Sequence, residues 1–184
     1  MSTTLRNLEP RSGNEIVFNA AHQMQHQGKV VQTITTTTHT RTTYTASGSG
    51  NGTQITQLNL TITPYRADST IWLRWTVAYE AHHEVIFLVQ RDSTLIGYNT
   101  DLGNNRWSGI VTAQYDNDYS TTPQVSTINW FDPAGTTAAR TYQLCVRSAS
   151  STSYTFGLNR SLASAGADGQ EVGVSHGIAR EICG

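Results

Sequence analysis

The most constraining feature of the chain is residues 126–160, where three runs with every second side chain apolar are separated by two clusters of turn residues. The runs are Ile128/Trp130, Tyr142/Leu144/Val146 and Tyr154/Phe156/Leu158. A period of two places the apolar side chains on one face of a β-strand and the polar side chains on the other. Three consecutive strands with short loops predict an antiparallel sheet. Because the segment contains no reactive constellation, it favours a scaffold or a binding surface over an enzyme.

Similar strand signals occupy most of the remaining chain. They cover residues 30–44, 58–62, 71–79, 85–89, 95–98, 110–115 and 172–182. Residues 85–89 are continuously apolar, which is typical of a strand covered on both faces. About nine or ten short strands without a visible internal repeat predict an all-β fold, an antiparallel jelly-roll sandwich.

The first 28 residues have a different pattern. Ser12 and Glu15 have the spacing of a capping box, and Gly28 provides a helix stop. An apolar stripe between them predicts one short amphipathic helix, although an extended leader is the alternative. The residues expected to attach this arm to another protein are Ile16, Ala20 and Met24. We therefore divide the chain into an attachment arm, residues 1–28, and a jelly-roll domain, residues 29–184.

Composition excludes several classes of partner. Charged residues make up 14% of the chain and the formal net charge is −1, whereas soluble domains average roughly 25% charged residues. Without a basic field we expect no binding to nucleic acid or to a membrane surface. No apolar run reaches the length of a membrane-spanning helix, and the N-terminus lacks a secretory signal. We expect synthesis and folding in a cytoplasm.

Cys145 and Cys183 are the two cysteines of the chain. Their wide spacing does not fit a zinc knuckle. In a reducing compartment two buried thiols are favoured. A disulfide is the alternative if their strands are neighbours.

Three groups of titratable side chains approach catalytic or metal-binding patterns. They are Glu80/His82/His83/Glu84, His22/His26 and Asp116/Asp118/Asp132. The group around Glu80 favours a solvated strand edge or a subunit contact over a metal site. The histidine pair has no identifiable third metal ligand. The three aspartates favour polar turns over the paired carboxylates of a glycosidase. Nucleophile-elbow and phosphate-loop motifs are missing from the sequence. We therefore predict no catalytic residue, no metal site and no cofactor.

The tryptophans fall into two groups according to their position in the apolar alternation. Trp75 and Trp130 are in phase with the core positions of their strands, so packing is predicted for both. Trp107, next to Arg106 in a polar loop, is the candidate for contact with a ligand or partner.

Six segments form a recognisable set, at residues 58–64, 69–73, 87–97, 129–144, 159–161 and 175–182. Together they resemble a family of tailed-bacteriophage virion proteins. The residues that carry the family's turn and core signature are Phe131, Asp132, Pro133, Tyr142, Asn159 and Arg160. The family fold is a trimeric jelly roll of tumour-necrosis-factor-like shape, found in fibre and head-surface proteins.

The resemblance implies a structural, non-enzymatic protein of the virion. Because the chain lacks a shaft-like repeat or coiled coil, we expect a homotrimeric decoration or cement protein on the capsid surface, in contact with the major capsid protein or another virion protein. The alternative is a tail or head fibre module that binds host surface glycans.

Overall fold

A computed structural model describes residues 17–18, 24–25, 27–81, 83–98, 108–113, 122–162 and 171–184. These residues form β-strands, with a single 3-10 turn at Thr56–Leu58. The strands are β1 Val17–Phe18, β2 Met24–Gln25, β3 Val30–Thr38, β4 Thr42–Ala46, β5 Thr53–Gln54, β6 Leu60–Ile62, β7 Thr70–Ala81, β8 Val85–Arg91, β9 Thr94–Gly97, β10 Val111–Thr112, β11 Gln124–Pro133, β12 Arg140–Ser148, β13 Tyr154–Leu158 and β14 Ser175–Ile182.

Sheet I is built around β7, the longest strand. On one edge β7 pairs with β11 over ten consecutive residues. On its other edge β7 pairs first with β14 and then, beyond Thr76, with β13. Strands β3 and β4 complete the sheet outside β14 and β13 respectively. All of these pairings are antiparallel.

Sheet II has β8 and β12 at its centre, antiparallel over seven residue pairs. Strands β9 and β10 pair with the free edge of β8. Strands β5 and β6 pair with the free edge of β12. The two sheets pack face to face, and the predicted all-β antiparallel sandwich is confirmed.

The core lies between the sheets and follows from the alternation in the sequence. Each long strand of sheet I sends every second side chain into it, such as Ile71, Leu73, Trp75, Val77 and Tyr79 of β7, all at most 1% exposed. The burial of such side chains from water is the main force that holds a sandwich together. The predicted packing of Trp75 is confirmed, and Trp130 is partly buried against the same cluster.

Strand β8 is buried on both faces, as its continuous apolar run predicted. Its outer side chains are covered in part by the loop that leads to β5. Gln90 donates to the carbonyl of Asn51 at 3.1 Å, and Arg147 of the neighbouring β12 donates to the carbonyls of Gly50 and Gly48. This loop therefore supplies the polar partners that burial of a sheet face requires.

Two local predictions are wrong. The three strands of residues 126–160 are not neighbours in one sheet, because β11 and β13 belong to sheet I and β12 to sheet II. Alternation fixes which face of a strand is buried but not which strand lies beside it, and the chain here crosses between sheets at each loop.

The predicted N-terminal helix is also wrong where the structure describes it. Val17–Phe18 and Met24–Gln25 pair as antiparallel strands, with Phe18 opposite Met24. A short isolated helix is marginal in water, and a β-branched residue followed by an aromatic one favours a strand. Ile16 and Ala20 lie outside the described residues. The division into an arm and a domain stays a prediction.

Candidate assembly surface

The outer surface of sheet I, which we call the assembly surface, is formed by the outward side chains of four adjacent strands. Register places them in cross-strand rows. They are Val30, Thr33, Thr35 and Thr37 of β3, His176, Ile178, Arg180 and Ile182 of β14, Thr70, Trp72, Arg74, Thr76 and Ala78 of β7, and Val125, Thr127, Asn129, Phe131 and Pro133 of β11. These side chains are mostly hydroxyl-bearing or apolar, and none is a carboxylate.

One row of this surface is a stack of three side chains. The Trp72 and Phe131 rings are nearly parallel, at 9°, with centroids 6.1 Å apart. The Arg180 guanidinium carbon lies 5.1 Å from the Trp72 ring centroid. Arg180 and Phe131 lie on opposite neighbouring strands, so the indole of Trp72 has a guanidinium on one side and an aromatic ring on the other. Phe131, at the sheet edge, remains 59% exposed.

The charges of the assembly surface are all of one sign. Arg74 and Arg180 lie on adjacent strands, with Ile178 directly opposite Arg74. Neither guanidinium forms an ion pair with a carboxylate in the described part of the chain. Burial of an uncompensated guanidinium costs several kcal/mol. A partner that buried this surface would therefore have to bring carboxylates or other anions.

Two cavities among the described residues are small. One of about 30 Å³ lies on the assembly surface between Trp72, Arg74, Ile178 and Arg180. Another, of about 110 Å³, includes Leu88, Tyr98 and Arg147 in its lining. Small-molecule sites usually measure roughly 300–1,000 Å³, so neither of these two would enclose a small ligand.

The family-signature residues around Asp132 form a tie between the sheets. The Asp132 carboxylate, on β11, accepts two hydrogen bonds from Arg91 Nη1 of β8, at 3.0 and 2.8 Å. It also accepts one from the Tyr142 hydroxyl of β12, at 2.8 Å. Burial and the Asp132 carboxylate together raise the pKa of Tyr142. The hydroxyl thus stays protonated as a donor, and the three groups fasten sheet I to sheet II.

This arrangement corrects the interpretation of Phe131, Asp132 and Pro133 as turn positions, whereas Tyr142 is a core residue. The first three end strand β11, and Tyr142 lies within β12. Asp132 and Tyr142 are buried, but Phe131 is exposed. Asp132 is not a polar turn residue, since its carboxylate is held in an ion pair.

Asn159 stabilises sheet I at the point where β7 changes its partner from β14 to β13. Its backbone has a φ of 55°, and its side chain is fully buried. The side-chain amide donates to the carbonyls of Thr38 and Thr40 at 2.9 and 3.1 Å. The amide oxygen accepts from the Ser175 hydroxyl at 2.6 Å. One side chain therefore joins the ends of β3, β13 and β14. Arg160 next to it donates from Nε to the carbonyl of Ser161.

Two further buried carboxylates have structural partners. Glu181 accepts from the backbone N–H groups of Tyr65 and Arg66 at 2.9–3.1 Å and from the Gln32 side chain. Glu80 accepts from the backbone N–H and the hydroxyl of Thr122 and from the N–H of Leu162. Both are fully buried. The prediction that Glu80 lies at a solvated edge is wrong, because loops distant in sequence cover it.

The two cysteines are free and buried, so the favoured pair of thiols is confirmed and the disulfide is not present. Cys145 lies on β12 of sheet II, and Cys183 follows the end of β14 in sheet I. Desolvation raises the pKa of Cys145 to about 12. A thiol so strongly protonated is a poor nucleophile and a poor metal ligand.

Several candidate residues lie outside the described residues. They are His22, His26, His82, Arg106, Trp107, Asp116 and Asp118. His83 is described, and its ring stacks on Tyr154 with a centroid distance of 4.1 Å. Within the described ranges, no three His, Cys, Asp or Glu side chains are grouped as a metal site would need.

Sequence reasoning missed Trp72 as a surface residue. The available signal was its phase, because Trp72 alternates with the buried Ile71 and Leu73 and must therefore point away from the core. The pairing of Trp72 with Phe131 depends on the register between β7 and β11, which the sequence does not specify.

No known protein family matches the chain, and no curated protein sequence matches it. Among the described residues, no helix has the length and apolar character needed to cross a membrane.

Proposed function

We propose that the protein is a non-enzymatic structural component of a tailed-phage virion, which assembles as a homotrimer and decorates the head. The assembly surface is the observation that carries this proposal. It is the outer face of four adjacent strands, with exposed Phe131 and Val125 and without carboxylates. Such a face is suited to burial against another protein.

In a threefold ring each contact joins two different surfaces of neighbouring subunits. The assembly surface of one subunit then meets another part of the next one, which can supply the carboxylates that Arg74 and Arg180 lack. The many threonine hydroxyls favour hydrogen bonds that depend weakly on salt. The mechanism is mechanical, since the trimer bridges capsid subunits and shares internal pressure across more contacts.

The signature residues support the same proposal. Asp132, Tyr142 and Asn159 form hydrogen bonds that join strands and sheets to one another. Residues that mark a family by its fold, and not by a reaction, are expected to have such structural roles. Within this proposal residues 1–28 attach the trimer to the capsid protein, and the protein resides on the virion surface after synthesis in the host cytoplasm.

The alternative, a fibre module that binds host glycans, gains support from the exposed ring of Phe131 at the sheet edge. Exposed aromatic rings are common platforms for ligands with an apolar face. Trp72 of the same row is flanked by Phe131 and Arg180 and is less exposed than Phe131.

Charge reversal on the assembly surface tests the trimer. We expect the full chain to sediment as a trimer or as a multiple of one, and Arg74→Glu to dissociate the trimer. Arg41→Glu is the matched control, because Arg41 is an exposed arginine in the link between β3 and β4. A wild-type monomer, or equal masses for all three proteins, would contradict the proposal.

A second arm of the experiment tests attachment. Deletion of residues 1–28 should leave the trimer intact and abolish its binding to emptied phage heads. Binding of the shortened trimer at the wild-type level would refute the anchoring role. Binding of the protein to host polysaccharide but not to heads would favour the fibre module.

A further inference from the structure

Among the described residues, strand β11 forms an edge of sheet I. It is ten residues long, it pairs with β7 without a register shift, and it pairs with no other strand of the described residues. Its outward side chains are uncharged; its one charged residue, Asp132, points inward and pairs with Arg91. Natural edge strands are usually protected by charges, prolines, bulges or shortness, because an open edge can pair with another chain. β11 is long, has no bulge and has no outward charge, and its one proline is its last residue.

The opposite edge of sheet I is different. There Thr36 of β3 donates to the carbonyl of Gln57, and Gln32 donates to the carbonyl of Thr63. Residues 57–63, which include β6, therefore lie along β3. At β4, the other outer strand on this side, the Thr53 hydroxyl donates to the carbonyl of Thr45. These contacts distinguish β3 and β4 from β11, which makes β11 the place where sheet I can be extended.

The direction of the free backbone groups of β11 follows from its pairing. Just after the strand, Ala134 N–H donates to Ser69 O at 2.9 Å, in the same register as β11 and β7. In an antiparallel pair the residues alternate between facing the partner and facing away. The even-numbered residues of β11 thus face β7, and the N–H and C=O groups of the odd-numbered residues face the open edge.

The odd-numbered residues are symmetric about Ile128. Val125 and Phe131 lie three positions on either side of it, and Thr127 and Asn129 lie one position on either side. Val125 and Phe131 are 68% and 59% exposed. They are the two exposed large apolar side chains of this strand.

Prolines occupy the same symmetric pattern five positions from Ile128, at Pro123 and Pro133. Both are odd-numbered, so the N–H groups that they lack would have faced the open edge. Proline in a sheet is confined to such edge positions and to strand ends. The two prolines therefore bound a segment whose free N–H groups all lie between them.

We propose that β11 pairs with β11 of a second copy of this chain, antiparallel and about a two-fold axis at Ile128. Val125 of each copy then lies opposite Phe131 of the other, and Thr127 lies opposite Asn129. These four pairs exchange eight backbone hydrogen bonds. A β-branched residue opposite an aromatic one is a favourable cross-strand pair. The two copies of sheet I become one continuous sheet.

The contact is isologous, so it closes with two copies and does not depend on the trimer. It joins two free protomers, or it joins protomers of neighbouring trimers in a decorated shell. It thus adds a two-fold contact that the proposed function does not contain.

Charge exchange at the centre of the strand tests the pairing. Thr127→Lys/Asn129→Lys places lysine opposite lysine at both central pairs, and Thr127→Glu/Asn129→Glu does the same with glutamate. Both positions are exposed. We expect each variant to raise the dissociation constant of the two-fold contact at least about tenfold. A 1:1 mixture of the variants should restore association, because every lysine then faces a glutamate.

The measurement is sedimentation equilibrium of the full chain, with native mass spectrometry of the mixture. The control is Thr43→Lys/Thr45→Lys, at two exposed positions of β4 outside the assembly surface. The expected result is a wild-type mass that halves in either variant, is unchanged in the control, and returns in particles with equal numbers of both variants. An unchanged mass in the lysine variant, or a mixture that does not associate, overturns the pairing. Arg74→Glu, which leaves every side chain of β11 in place, reports separately on the trimer.

Discussion

Replacement of Asp132 by asparagine should destabilise the protein more than the neutralisation of any exposed charged side chain. Asp132 is 5% exposed and accepts three hydrogen bonds, two from Arg91 and one from Tyr142. Asp132→Asn keeps the size of the side chain but removes the charge that balances Arg91. The substitution therefore breaks the tie between the sheets without creating a cavity.

The magnitude follows from the burial of the partners. Loss of one member of a buried ion pair costs about 3–5 kcal/mol. The Arg91 side chain is 28% exposed, so water compensates part of the loss. We expect a decrease of about 2–4 kcal/mol in the free energy of unfolding for Asp132→Asn. Tyr142→Phe, which removes one hydrogen bond to a charged group, should cost about 1.5–3 kcal/mol.

Urea unfolding followed by tryptophan fluorescence measures both changes, and the double variant completes a cycle. The two effects should be less than additive, because the hydroxyl and the carboxylate share one hydrogen bond. Asp68→Asn is the control, since Asp68 pairs with Arg66 at an exposed position and should leave the midpoint unchanged. A loss below about 1 kcal/mol for Asp132→Asn, or additive effects in the cycle, would refute the reasoning.

Four other substitutions test the remaining structural claims. Asn159→Gly keeps the positive φ but removes the donors to two carbonyls, so it should cost about 2–3 kcal/mol in urea unfolding. Gly177→Ala places a Cβ 2.7 Å from the Trp75 ring and should lower stability by about 1–3 kcal/mol and change the near-UV circular dichroism. In a Cys183→Ser background, Cys145 should not react with a thiol reagent at neutral pH until the protein is unfolded, because its pKa is about 12. The backbone N–H of Thr141 and the Arg140 guanidinium lower the pKa of Asp92. The stability that Asp92 contributes is therefore complete above its unfolded pKa of about 3.9 and is lost as the pH falls through its lower folded pKa. Asp92→Asn should therefore reduce the loss of unfolding free energy that acid causes in this pH range.

The sequence predicts the strands well and their partners poorly. Alternation in β7, β12 and β13 identifies the strands and their buried faces, because one side chain in two must enter the core. The same alternation is compatible with many neighbours. The chain crosses between the sheets after β11 and again after β12, and the loops at these crossings, residues 134–139 and 149–153, consist of small residues that carry no signal for the crossing.

The surface is less predictable than the core for a related reason. The charged groups that matter are held by backbone groups distant in sequence, as Glu80 is by Thr122 and Leu162. No local pattern identifies such partners. The stack of Trp72 and Phe131 likewise depends on the register between strands, which the alternation alone leaves open. The symmetry of β11 about Ile128 is visible in the sequence, but its meaning requires the knowledge that β11 is an edge.

The most direct test of the proposed function is the position and copy number of the protein in purified virions. Quantitative mass spectrometry of the virion, combined with cryo-electron microscopy of the labelled protein, measures both. The proposal predicts many copies per head, in multiples of three, distributed over the capsid lattice. A few copies confined to the tail or to a fibre tip would contradict it.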